Sequence, residues 1–178
     1  MSGFIKRTRQ FLRTLSTGMT SSDLVIVRQY LNHSEHQLFT KMNPAIQKHC
    51  VNTALAVLNM HKDRAGINRL VLVKAALLHD IGKTWGSINL WDRVFYVLTT
   101  KFSRRWVHKL ASPGHNSPRA RFRNALYVHL HHPELGAQLA ENAGLDEGIV
   151  YLIRHHHDTA EAASSAELAA LIEADESN

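Results

Sequence analysis

The chain has 178 residues, 44% apolar and 20% charged, the proportions of a folded domain with its own core and not of a disordered or fibrous polymer. No apolar run approaches the eighteen or so residues of a membrane span, no secretory leader pattern is read at the N-terminus, and the single cysteine, Cys50, excludes an internal disulfide, so a cytoplasmic location is expected. The net charge of +6 is unevenly spread: residues 1–133 hold 20 of the 21 Lys and Arg but only five of the 15 acids, and the stretch 93–133 has eight bases and no acid.

At the N-terminus, Phe4, Ile5, Phe11, Leu12 and Leu15 share one helical face, with Lys6, Arg7, Arg9 and Arg13 mainly elsewhere. Residues 1–20 are therefore expected to form a basic amphipathic helix, which either rests on an anionic membrane surface through residues 1–18 or packs on its own domain. Residues 21–178 read as one domain of helices. Ser21, Ser22 or Asp23 offers a cap for "LVIVRQYL", and Ser34 one for "EHQLFTKM". Asn43-Pro44 is a cap followed by proline at the first helical position, and Ile46, Cys50, Ala54, Val57 and Leu58 then recur as a core-facing stripe. "INRLVLVKAALLHD" predicts an apolar helix ended by Gly82. Residues 90–102 predict an amphipathic helix running on through "SRRWVHKL", and "ASPGHNSPRA" predicts a loop. A helix near 121–132 is expected to stop at Pro133 and restart with "PELGAQLAENAG", ending at Gly144. Asp146 caps "EGIVYLIRHHH" and Ser165 caps "AELAALIEAD". Strand signals are scarce, so the expected fold class is all-α, a single helical bundle.

Histidine fills 13 of the 178 positions, more than a core needs. His33, His36, His61, His108 and His115 lie in polar, loop-like or basic surroundings. The others fall at or near polar ends of expected helices: His49; His79 with Asp80; His129, His131 and His132; and His155, His156 and His157. Asp175 sits near the end of the last helix. Helices packed side by side can gather such imidazoles and carboxylates into one polar pocket. A divalent cation makes burial of an aspartate after "AALLH" favourable, because it compensates the charge that desolvation penalises. Taken singly, each histidine is more simply a satisfied core or surface residue; order, spacing and placement together point to metal.

The segments "KHCVNTALAV", "AALLHDIGK", "HHPELGAQLA", "LIRHHHD" and "LIEADES" resemble, in order, those of the HD-domain metal-dependent phosphohydrolases, in particular the HDIG-type branch. The resemblance spans roughly residues 45–176. It implies that His49, His79, Asp80 and Asp175 hold one metal ion, and that Asp80 bridges to a second held by His132 and His156 with His157. It implies Asp80 and Lys83 as catalytic residues and Lys83 as a contact to the substrate phosphate; imidazoles with added carboxylates favour iron or manganese among the divalent ions, with others open. The choice of His132 follows the match to "HPELG", with His131 and His129 as alternatives. Consecutive helical residues differ by about 100° in direction, which makes His155 a bystander to the other two.

One departure bears on substrate: after "HHHD" the chain reads "TAEAASS", without the "GYP" segment of the best-known cyclic-di-GMP branch. The expected activity is hydrolysis of a phosphate ester, a nucleotide or other phosphodiester, by metal-activated water. Arg104, Arg105, Arg121 and Arg123 are candidates for binding further phosphates, since guanidinium pairs bidentately with them. The alternatives are an oxygen-dependent di-iron enzyme on the same fold, and a non-catalytic metal-stabilised module whose basic face binds an anionic partner. Nucleic acid is the less favoured partner, because no reading motif accompanies the charge.

Overall fold

The computed structural model describes residues 18–60, 66–85, 111–114 and 117–178. Residues 1–17 of the expected N-terminal amphipathic helix and the helix expected over 90–102, with Arg104 and Arg105, lie outside the described residues, as do His61, His108 and His115. Seven α-helices and two 3₁₀ turns make up the described chain, with no strand among the described residues. No described helix is long and apolar enough to cross a membrane.

Helices α1 (Ser21–Tyr30) and α2 (His33–Lys41) begin with capping boxes, one to three residues earlier than expected. Thr20 caps α1 and Asn32 caps α2; Asp23 and Glu35 instead occupy the third helical position and accept the N–H of the cap residue, at 2.7 and 2.8 Å. Both carboxylates are buried, and each also takes a lysine: Lys48 reaches Asp23 at 2.8 Å and Lys74 reaches Glu35 at 2.8 Å. Each acid thus closes its own helix and fastens it to a helix of the core.

Those core helices are α3 (Pro44–Met60) and α4 (Arg69–Leu78). As expected, Asn43 Oδ1 accepts from the Ile46 N–H at 3.0 Å, and Ile46, Cys50, Ala54 and Val57 are buried. Helix α4 buries Leu72, Val73, Ala75, Ala76, Leu77 and Leu78, so apolar contact surrounds it on nearly every side. That is the signature of a central helix; α1, α2, α3 and the two C-terminal helices described below all pack on it. It ends at Leu78, earlier than Gly82, and the chain turns through His79 and Asp80 into a 3₁₀ segment, Ile81–Trp85.

Helix α5 (Pro118–Asn142) departs most from expectation, since it runs unbroken through Pro133. Its two halves are locked in place independently. Ser117 caps the start, accepting from the Ala120 N–H at 3.1 Å. The end closes in a Schellman motif, with Gly144 at φ +72°, its N–H on the Glu141 carbonyl, and the Leu145 N–H on that of Ala140. Beyond Pro133, Ala137 and Ala140 are fully buried, and Glu134 and Glu141 each hold Arg154 at 2.9 Å. Breaking the helix at Pro133 would forfeit this packing, which offsets the roughly 3 kcal/mol that an interior proline costs. Helices α6 (Glu147–His155) and α7 (Ala166–Glu176), capped by Asp146 and Ser165 as expected, complete the bundle.

Candidate metal centre

Five helices deliver the chemistry-bearing groups to one place. His49 comes from the first turns of α3, and His79 and Asp80 from the turn that ends α4. His132 lies in α5, His156 and His157 follow α6, and Asp175 closes α7. Two of the motifs meet at their glycines. A Cβ placed on Gly82 would lie 2.6 Å from the Gly136 backbone nitrogen and 2.8 Å from the His132 carbonyl carbon, and nearer still to the His132 carbonyl oxygen. The 3₁₀ segment therefore lies directly on the α5 backbone, and this crossing sets Asp80 and Lys83 against His132.

Three imidazoles are aimed by the same device. The Nδ1 of His79 bonds the Ala76 carbonyl at 2.9 Å, that of His132 the His129 carbonyl at 2.9 Å, and that of His156 the Ile153 carbonyl at 2.7 Å. A carbonyl can only accept, so each Nδ1 carries a proton, and each ring in its neutral form presents a lone pair at Nε2. The lone pairs of His132 and His156 converge, with the His157 ring beside them. His132 Nε2 lies 3.2 Å from His156 Nε2 and 3.2 Å from His157 Nε2. Two lone pairs facing each other at that distance repel unless a cation or proton lies between them. Ligand atoms about 2.1 Å from a shared ion are separated by roughly 3.0–3.4 Å, which is the spacing seen here.

His49, His79 and Asp175 form a second such group, with Asp175 Oδ1 2.9 Å from His49 Nε2 and 3.4 Å from His79 Nε2. Asp80 stands between the two groups. Its Oδ1 is 3.4 Å from His132 Nε2, 3.8 Å from His79 Nε2 and 4.0 Å from His156 Nε2, and its Oδ2 is 3.8 Å from His49 Nε2. Buried His79 Nε2, Asp80 Oδ1 and Asp175 Oδ1 all lack a hydrogen bond of good geometry. Their neighbours are one another, His49 and Lys83, and a cation placed among them would satisfy all three at once. Lys83 also sits on Asp80, its Nζ 2.5 Å from Oδ1 and 2.6 Å from Oδ2.

The protonation states suit a cation. Burial alone would raise the Asp80 carboxyl, yet the Lys83 ammonium and His79 hold it well below the usual carboxylate range. Asp175 is likewise pushed up by burial and pulled down further by His79 and His49. Burial, reinforced by neighbouring positive groups, depresses His132, His156 and His157, the last to about 4. His79 runs the other way: burial opposes its charging, but Cys50, Asp80 and Asp175 hold it well above the ordinary histidine value. Ionised carboxylates and neutral imidazoles are the forms that bind metal; His79 alone departs, and a cation beside Asp80 and Asp175 would displace the proton that those acids hold on it. The donor set of imidazole and carboxylate fits iron, manganese or zinc.

A family model described as HD domain matches residues 46–177. The chain belongs to the HD-domain family. No curated protein and no solved structure matches it significantly. The HD-domain match contains all the grouped residues, from His49 to Asp175, together with Lys83.

The remaining expected residues fall elsewhere. His131 is exposed and lies against the Tyr127 ring at 4.5 Å, and His155 stacks on Tyr151 at 4.8 Å, 3.9 Å from Asp158. Neither enters either group. Arg121 and Arg123 are exposed near the start of α5. At 1.5 Å per residue they stand about 17 and 14 Å along the axis from His132, so the fold does not bring them to the histidines. Conversely, the Cys50 thiol falls within 4.8 Å of donor atoms of His79 and Asp80. Sequence reasoning placed it only in the core stripe; its position next to His49 in "KHC" was the available signal.

Proposed function

We propose that this HD-domain protein is a metal-dependent phosphohydrolase acting on a nucleotide or another phosphodiester. The observation that carries the proposal is the meeting of the His132, His156 and His157 Nε2 atoms, the first two within 4.0 Å of the Asp80 carboxylate, with His49, His79 and Asp175 on its other side and Lys83 beside it. His49, His79, Asp80 and Asp175 would hold one divalent cation and Asp80, His132, His156 and His157 a second. When bound, such a pair lowers the pKa of a shared water and offsets charge on phosphoryl oxygens.

The chain's own residues account for the rest. Lys83 carries the ammonium closest to Asp80 and is placed to neutralise a non-bridging phosphate oxygen, where charge grows during displacement. His157 is the exposed member of its group, so the centre opens to solvent on its side. The apolar helices behind Asp80 exclude water from the opposite side and strengthen the electrostatics at the centre. Arg121 and Arg123 can serve only the far end of an extended substrate.

The proposal is tested by assaying phosphate esters, nucleotides and cyclic dinucleotides with Mn²⁺ or Fe²⁺, beside Asp80→Asn and Lys83→Met. Metal-dependent hydrolysis that Asp80→Asn abolishes, and that Lys83→Met weakens mainly in kcat/KM, is expected. Hydrolysis no faster than in Asp80→Asn across the whole panel would refute it, and oxygen consumption by iron-loaded protein would favour the oxygenase reading.

A further inference from the structure

We infer that Pro133 is a positioning residue: by removing from the middle of α5 the backbone N–H that would compete for the His129 carbonyl, it lets that carbonyl fix the tautomer and aim of His132. His79 and His156 obtain their carbonyl partners in an ordinary way. Each is the C-cap of its helix, where the last carbonyls have no intrahelical donor, and each turns its Nδ1–H back onto the carbonyl three residues earlier. His132 makes the same three-residue bond, to His129, yet α5 continues for ten more residues to Asn142.

In an uninterrupted helix the His129 carbonyl would accept from the N–H of residue 133, four positions on. Residue 133 is proline and has no N–H to give. The helix cannot simply stop there, because Gly136 must pass under Gly82 and Ala137 and Ala140 fill the core. Proline thus removes the helical N–H that would compete with His132 for that carbonyl, as a helix end would, in a helix that must continue. With its Nδ1 proton tied to that carbonyl, His132 turns a fixed Nε2 lone pair toward His156, His157 and Asp80. Partners that orient a ligating imidazole in this way typically change metal affinity ten- to a hundredfold.

This inference rests on the metal-centre reading above, but its primary readout needs no metal. The imidazole nitrogens of chelator-treated protein are observed by long-range ¹H–¹⁵N correlation, and Mn²⁺ is titrated separately, in wild type, Pro133→Ala and Pro133→Gly. Both variants restore the competing N–H, while alanine favours the helix and glycine disfavours it. Wild-type His132 should be the Nδ1–H tautomer. Both variants should show a mixed tautomer and bind the second Mn²⁺ about tenfold more weakly, even though Pro133→Ala melts no lower than wild type. A retained Nδ1–H tautomer with unchanged Mn²⁺ affinity in Pro133→Ala would overturn the inference. So would losses that follow thermal stability, with glycine impaired and alanine normal. If the tautomers behave as expected but wild type binds no Mn²⁺, the positioning of His132 stands and the proposed function fails.

Discussion

Replacing Gly82 by alanine tests how the two halves of the centre are held together. The added Cβ would meet two backbone groups: the His132 carbonyl, its carbon at 2.8 Å and its oxygen nearer, and the Gly136 nitrogen at 2.6 Å. Ordinary contact begins near 3.4 Å, so relieving the Gly136 clash alone requires about 0.8 Å of movement. None of these atoms belongs to a flexible side chain that could swing away. The 3₁₀ segment must therefore lift from α5, carrying Asp80 and Lys83 away from His132. Overpacking of this kind costs about 1–3 kcal/mol, which in a chain of this size lowers Tm by roughly 2–12 °C. A displacement near 1 Å at reacting groups costs on the order of a hundredfold in rate. Thermal unfolding with chelator present measures the first effect, and Mn²⁺ titration of the folded variant at low temperature measures the loss of the second ion. Gly66→Ala is the control, because its positive φ is strained but its added Cβ meets nothing within 4 Å. A Gly82→Ala protein with wild-type Tm and two full-affinity Mn²⁺ sites would refute the crossing as described.

Three further outcomes follow from the same geometry. His132, His156 and His157 are all held below the ordinary histidine value of 6.5, His157 at about 4, so between those pH values the unfolded chain binds protons that the folded chain does not. The urea midpoint of chelated protein should accordingly fall as pH drops from 6.5 toward 4; the contribution of raised His79 is already complete below 6.5, so a midpoint that holds or rises would contradict the assignment. Lys74→Met leaves the buried Glu35 carboxylate without its cation and should cost about 3 kcal/mol in denaturant unfolding, and a loss under about 1 kcal/mol would mean the pair is not desolvated as the structure has it. Arg154→Ala removes two largely exposed pairs and should cost no more than about 1 kcal/mol on the same assay.

Much of the bundle was legible because its helices carry their own start signals. Asn43-Pro44, Asp146 and Ser165 each mark an N-terminus that the structure keeps, since a cap is a local hydrogen bond and requires no knowledge of the rest of the chain. At α1 and α2 several polar residues competed for the cap. Thr20 and Asn32 take it because Asp23 and Glu35 are needed at the third position for Lys48 and Lys74, 25 and 39 residues away. Pro133 misled for a related reason. Locally a proline ends a helix, but the buried alanines beyond it and the Gly82 crossing are tertiary facts.

The site divides in the same manner. His79, His132 and His156 stood out in the sequence because imidazoles at the ends of apolar helices are unusual. Their shared bond to a carbonyl three residues back was not visible, nor was the meeting of Gly82 with Gly136 across 54 positions. Arg121 and Arg123 looked relevant by charge alone, which carries no information on distance, and α5 places them well up its axis from His132. Cys50 shows the reverse. A buried cysteine in a core stripe looks like any small apolar residue, and only packing reveals His79 and Asp80 beside it.

The central claim is that the converging imidazoles and carboxylates hold two cations. Its most direct test is the metal content of untagged protein, purified without chelator and reloaded with Mn²⁺, measured per chain beside Asp80→Asn. Two equivalents in the wild type, with the second lost and the first weakened in the variant, is the predicted result. A wild type that retains no ion after reloading, or an Asp80→Asn protein that retains both, would contradict the account.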